Sequence, residues 1–151
     1  GRPFGGGGLP AKKNTWIENG VLTQLFYDRY WAEKQGKEPT GWPSSIIIEG
    51  ENGTLDDLIS NTDRAVLITR FWYIRFVDPQ SLLLTGLTRD GTFWVENGRI
   101  QHAIKNFRFN ESPMAVLNKI TDMSESVHVG GSMVPAIRAS EFTFSSLSDA
   151  V

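Results

Sequence analysis

The sequence predicts an α+β fold in which β structure predominates, with antiparallel sheets, an internally duplicated hairpin-helix unit and about three short helices. Three observations carry that reading. Trp16-Ile17-Glu18-Asn19-Gly20-Val21-Leu22 recurs as Trp94-Val95-Glu96-Asn97-Gly98-Arg99-Ile100. Each copy sets Asn-Gly between β-prone runs, the signal of a two-residue type I′ hairpin, because both turn positions need positive φ. From Ala65 to Val77 the chain is rich in β-branched and aromatic residues, and helical periodicity is confined to short stretches.

Taken in order, Gly5 to Gly8 with Leu9-Pro10 reads as a flexible lead-in over 1–13, and one domain is expected over 14–151. In the first hairpin Ile17 should face Leu22, Glu18 Val21 and Trp16 Thr23. Phe26 to Gln35 follows as an amphipathic helix with Tyr27, Tyr30, Trp31 and Lys34 on one face, an Arg29/Glu33 pair and Gly36 as its C-terminal cap. Pro39 to Pro43 is a loop, and Ser45 to Glu49 a short strand ended by Gly50. Thr54-Leu55-Asp56-Asp57 resembles a capping box ahead of a short helix whose stripe is Leu55, Leu58 and Ile59.

Ala65 to Val77 is expected as one long strand, Asp78-Pro79 as a turn, Ser81 to Thr88 as the returning strand, and Arg89-Asp90-Gly91 as the turn into the second hairpin. Ser112-Pro113 starts a third helix with Pro113, Leu117 and Ile120 on one face. Val127 to Val129, Met133 to Arg138 and Phe142 to Phe144 are short strands separated by Gly130-Gly131 and polar residues. Hairpin followed by helix is thus the expected repeating unit.

Composition narrows function. Fifteen basic and seventeen acidic residues in 151 leave no electrostatic footprint for nucleic acid or an anionic membrane. Without cysteine the chain has no disulfide, thiolate nucleophile or cysteine-ligated metal. No apolar run approaches a bilayer span and no signal peptide is evident, so a cytoplasmic location is expected.

No residue pattern completes an active site. His102, expected opposite Phe93 on the Val95 and Ile100 face, reads as a core-edge histidine. His128, between two valines and before Gly130-Gly131, is the one metal-ligand candidate, and no second histidine or cysteine stands near it in sequence. Asp78 and Asp90 read as turn organisers and Asp56-Asp57 as a helix N-terminus. Arg70 and Arg75, five apart on one strand, should point to opposite faces. Phe71-Trp72-Tyr73 reads as part of a strand buried on both sides.

The whole chain resembles the C-terminal domain of the TldD/PmbA family, the TldD/TldE metallopeptidases once described as modulators of DNA gyrase. The resemblance is carried by the Trp16 to Leu22 hairpin, Tyr27-Asp28-Arg29-Tyr30-Trp31-Ala32 with Thr40-Gly41, and Thr69 to Arg75. It continues through Leu82 to Gly91, Glu96-Asn97-Gly98, Asn106 to Ser112 and Phe142 to Leu147. It implies a cytoplasmic, dimeric, zinc-dependent peptidase acting on peptides and poorly folded proteins, its subunits identical or homologous. The family's His-Glu-x-x-x-His helix has no equivalent in this sequence, so no zinc is expected in this chain alone and no catalytic residue is assigned. The family cysteine that completes the metal site is also missing, and His128 is the nearby residue that could substitute.

The expected role is a scaffold and one wall of a peptide channel, partnered by the N-terminal region of the same polypeptide and by a second subunit. Peptide would bind at an exposed strand edge with Arg70 or Arg75 as polar anchors. The alternative is a non-enzymatic dimerisation or protein-interaction module.

Overall fold

The structure, a computed structural model, describes residues 3–148. Its strands pair antiparallel almost throughout, and three short α-helices interrupt them, as expected for a β-predominant α+β chain. Two compact units can be distinguished: the N-terminal part through Ile47 with His128–Met133, and Ile48–Val127 with the part from Val134 onward.

In the first unit the glycine run folds back on itself. Phe4 bridges Pro10, and the amides of Gly5 and Ala11 donate to the carbonyls of Leu9 and Pro3. Backbone pairing therefore begins ahead of Asn14. Strands β1 (Ile17–Glu18) and β2 (Val21–Leu22) pair in the expected register. Asn19 and Gly20 have φ of 51° and 77°, as a type I′ turn requires.

Helix α1 (Arg29–Gln35) starts three residues later than its periodicity suggests, because the Asp28 carboxylate caps it by accepting from the Trp31 amide at 2.7 Å. Gly36 ends it in the left-handed region, as expected. Arg29, expected to pair with Glu33, donates Nε to the Gly7 carbonyl. Ser45 to Glu49 is not a strand. It is reduced to a single parallel bridge between Ile47 and Met133, supported by the Met133 amide on the Ile46 carbonyl.

In the second unit, α2 (Leu55–Ser60) carries the capping box: Thr54 N–H donates to Asp57 Oδ2 at 2.7 Å while the Asp57 N–H donates to Thr54 Oγ1. These bonds to the backbone and hydroxyl of Thr54 hold the Asp57 carboxyl below its ordinary pKa. The expected long strand is in fact two, β3 (Arg64–Ile68) and β4 (Phe71–Asp78), which belong to different sheets. The break comes at Thr69-Arg70, where the chain turns around Gly91: Thr69 donates both N–H and Oγ1 to the Gly91 carbonyl.

Strands β5 (Leu83–Thr88), β6 (Thr92–Glu96), β7 (Arg99–Ala103) and β8 (Asn106–Glu111) follow, then α3 (Pro113–Asn118), β9 (Ile120–Val129), β10 (Ser132–Ala139) and β11 (Phe144–Ser148). One sheet has the order β3-β6-β7, another β11-β8-β5-β4, and β9 with β10 forms a third of two strands. The second Asn-Gly turn has φ of 51° and 72°, matching the first. Unlike the first hairpin, it is separated from its helix by a strand, β8. Ile120, expected on the helix face, opens β9, and the last strand starts at Phe144 rather than Phe142.

One face of the four-stranded sheet is built from phenylalanine. Phe71 lies edge-on to Phe109 and stacks on Phe142, while Phe107 and Phe142 both meet Phe144. The Phe109 ring lies over Gly86, where a Cβ would come within 2.7 Å of it; the strand carries glycine there because the ring occupies the space. Where β5, β6 and β8 meet, the buried hydroxyls of Thr88 and Thr92 and the half-buried amide of Asn106 satisfy one another. Thr88 Oγ1 donates to Asn106 Oδ1 (3.1 Å) and accepts from the Phe107 amide (3.0 Å), with Thr92 Oγ1 at 2.8 Å.

Candidate functional site

The expected peptide anchors converge at β4. This strand is the outer member of its sheet and, among the described residues, pairs with β5 alone. It is not the two-sided buried strand expected from Phe71-Trp72-Tyr73: Ile74 is 51% exposed, Tyr73 58% and Phe76 64%. Edge position explains the difference, since hydrophobic composition is the same in a central strand and in one awaiting a partner.

Arg70 and Arg75 are not on opposite faces in the way simple alternation requires. Tyr73 adopts φ of 55° and makes a bulge, so Trp72 stands opposite Leu87 and Arg75 opposite Thr85, two positions apart on β5. One extra residue restores Trp72 and Arg75 to the same face. Arg70 lies just before the strand, its guanidinium 4.6 Å from the Trp72 ring centroid and its Nη1 2.5 Å from Asp90 Oδ2. Arg89 approaches the same ring at 5.2 Å and the other Asp90 oxygen at 3.4 Å, and Arg75 lies 4.5 Å from the Tyr73 ring.

The site is therefore an open strand edge with guanidinium groups held on aromatic rings, each contact worth about 0.5–1 kcal/mol where exposed. It can supply main-chain hydrogen bonds to an extended segment and cationic contacts to its side chains or carboxylates. Arg89 and Trp72 were missed as partners of Arg70. Their signal lay in the Arg89-Asp90-Gly91 turn, which antiparallel pairing returns beside Arg70.

Asp78 organises its turn as expected. It accepts from the Ser81 hydroxyl at 2.6 Å and the Gln80 amide at 3.0 Å, which together lower its pKa. Asp90 occupies its turn with φ of 60° but also bridges two arginines. His102 faces Trp94 rather than Phe93 and is exposed, because a register shift between Trp94 and Val95 displaces it by one position. His128 lies exposed near the end of β9, in the first unit.

Outside the edge, Arg138 is absorbed by structure. It pairs with Asp122 and donates Nη1 to the Asn61 carbonyl and to Thr62 Oγ1, and its hydrogen bonds hold the Asp122 carboxyl low.

The fold defines the class: a β-predominant α+β domain with an open, arginine-flanked edge strand. The chain belongs to the PmbA/TldA metallopeptidase C-terminal domain family, whose profile matches residues 1–146 and so takes in the glycine-rich lead-in. It is 24% identical over 143 residues to a metalloprotease TldD homologue of Buchnera aphidicola subsp. Acyrthosiphon pisum, a match covering 83% of this chain and 28% of that protein.

Among solved structures it resembles TldE from Thermococcus kodakarensis, with 22% identity, a TM-score of 0.75, and 93% of this chain and 35% of that one covered. It also resembles a provisionally named modulator of DNA gyrase from Bacteroides thetaiotaomicron, with 23% identity, a TM-score of 0.80, and coverage of 97% and 33%. At these identities the structures establish the fold. The chain spans about a third or less of each relative.

The family name implies a metal in the complete enzyme. Among the described residues no group of three or more His, Asp or Glu side chains comes together to hold one. The described donors therefore do not make up a metal-binding set on their own.

Proposed function

We propose that the chain is the C-terminal scaffold and peptide-channel domain of a TldD/PmbA-type zinc metallopeptidase, and that β4 receives an extended peptide by strand addition. One observation carries this reading: an eight-residue, largely apolar strand lies exposed at a sheet edge. Such an edge is an aggregation hazard unless something pairs with it. Family membership favours a peptide as that partner. Zinc, the hydrolytic groups and the cleavage reaction are assigned to the rest of the polypeptide, in a cytoplasmic assembly with an identical or homologous subunit. Arg70 and Arg75 serve as polar anchors beside the edge.

Arg70→Ala and Arg75→Ala in the full assembly test this. The expected result is a KM for peptide cleavage raised severalfold with kcat retained, because uniform binding is removed. Unchanged cleavage by both folded variants would remove the anchor role.

The second reading, a non-enzymatic interaction module, is favoured by apolar exposure in the first unit, where Trp42 is 71% and Ile47 66% exposed. The upstream coding sequence discriminates. A His-Glu-x-x-x-His helix there supports the peptidase, and its absence from the whole polypeptide supports the module.

A further inference from the structure

We propose that the sheet face bearing Trp72 and Arg75 selects acidic side chains in the strand that pairs with β4. The inference rests on strand addition at that edge and names what the edge prefers. The chain as a whole has a formal charge of −2, yet arginines gather here. Trp72, Leu87 and Arg108 are cross-strand neighbours in β4, β5 and β8, as are Arg75, Thr85 and Asn110. Antiparallel neighbours share a face, so Arg75 and Arg108 stand on the same side as Trp72, to which Arg70 and Arg89 add their guanidinium groups.

The nearby carboxylates cancel only part of this charge. Asp90 at one end is divided between Arg70 and Arg89. Asp78 at the other end stays ionised, held by Ser81 and Gln80 in its own turn, so Arg70, Arg75, Arg89 and Arg108 still outnumber these two carboxylates. The opposite face is the phenylalanine cluster, through Phe71 and Phe109.

Two classes of polyanion could meet a basic aromatic face, and the geometry favours peptide. Sequence-tolerant nucleic-acid binding relies on free ring faces on which bases stack. Here arginine already lies over both rings, Arg70 and Arg89 at Trp72 and Arg75 at Tyr73. A guanidinium held this way keeps in-plane N–H groups for a carboxylate. A strand hydrogen-bonded to β4 places its directly opposite side chains within about 5 Å. Carboxylates at alternate positions would then meet the arginine face, while the intervening positions point to the phenylalanine side. The preferred segment alternates acidic and apolar residues.

The test uses this chain with two fluorescent ten-residue peptides of alternating valine and threonine, identical except that two same-face positions are Glu in one and Lys in the other. Binding is read by anisotropy, with a ten-nucleotide single-stranded DNA as a third probe. The Glu peptide should bind about tenfold more tightly than the Lys peptide at low salt, as expected for two exposed ion pairs, and the ratio should shrink as salt rises to about 0.3 M. R75Q and R108Q should each reduce the ratio without abolishing binding of either peptide.

Equal binding of the two peptides would overturn acidic selection and leave strand addition standing. Binding of neither, with β4 amide exchange unchanged, would overturn both. Tighter binding of the oligonucleotide than of the Glu peptide would overturn the choice of a peptide.

Discussion

Thr88→Val asks whether the buried hydroxyl group of Thr88 joins β5, β6 and β8 energetically as it does geometrically. Thr88 is 1% exposed. Valine keeps its volume and β preference but removes an oxygen that accepts from the Phe107 amide at 3.0 Å and donates to Asn106 Oδ1 at 3.1 Å. A net hydrogen bond is worth about 1 kcal/mol, and stranding a buried N–H costs about 1–3 kcal/mol. The expected loss is therefore about 2–3 kcal/mol, less the small gain from no longer burying a hydroxyl.

Thr88→Ser is the control. It keeps the oxygen and loses one buried methyl group, at about 1 kcal/mol. Urea unfolding of both variants gives the global effect. Amide exchange at Phe107 gives the local one, with exchange expected to quicken by tens of fold in the valine variant, as about 2 kcal/mol implies. If the valine variant proved as stable as the serine variant, with Phe107 exchange unchanged, the hydroxyl would be a passenger of packing and the reasoning would fail.

Glu111 supplies a pH-dependent prediction. It is 8% exposed; burial raises its pKa, but amide bonds from Ser112 and Thr143, each 3.0 Å, and the Lys119 charge outweigh burial and leave it lowered. Its stabilising contribution is complete above the unfolded carboxylate value and disappears as pH falls through the lower folded one. Glu111→Gln should cost about 1.5–3 kcal/mol at neutral pH and flatten the acid limb of a stability-versus-pH curve measured by urea midpoints. The twin turns make a second comparison. Gly20→Ala meets open space and should cost about 1–2 kcal/mol for positive φ alone, whereas Gly98→Ala also drives a Cβ to 2.6 Å from the Ser60 carbonyl and should cost about 1–3 kcal/mol more. Equal shifts in their unfolding midpoints would count against a tertiary clash. Gly86→Ala should destabilise by about 1–3 kcal/mol by displacing the Phe109 ring, read as a loss of near-ultraviolet aromatic signal.

Features encoded within a few residues were legible before any tertiary contact was known. The Asn-Gly turns, the Thr54 capping box and the Gly36 cap follow from φ preferences and short-range hydrogen bonds, which neighbours along the chain complete. The phenylalanine face was legible in principle, since Phe107 and Phe109, like Phe142 and Phe144, alternate with polar residues.

The candidate site was harder to see. Arg70 and Arg75 were identifiable as cations beside aromatics, but their shared face depends on the Tyr73 bulge, and alternation without that extra residue gives the opposite answer. Arg89 and Arg108 reach the same region through pairings with residues distant in sequence.

The sequence by itself determined the β-predominant class, the turns, the caps and the family, because each rests on local propensity or on the order of short motifs. Only the tertiary structure decided that Ala65 to Val77 divides between two sheets, that β4 is an edge, and that arginines far apart in the chain line one face. Those outcomes are set by which strands pair and in what register. Pairing is settled by packing across the sheet, where hydrophobic pattern alone does not distinguish a buried strand from one still open to a partner.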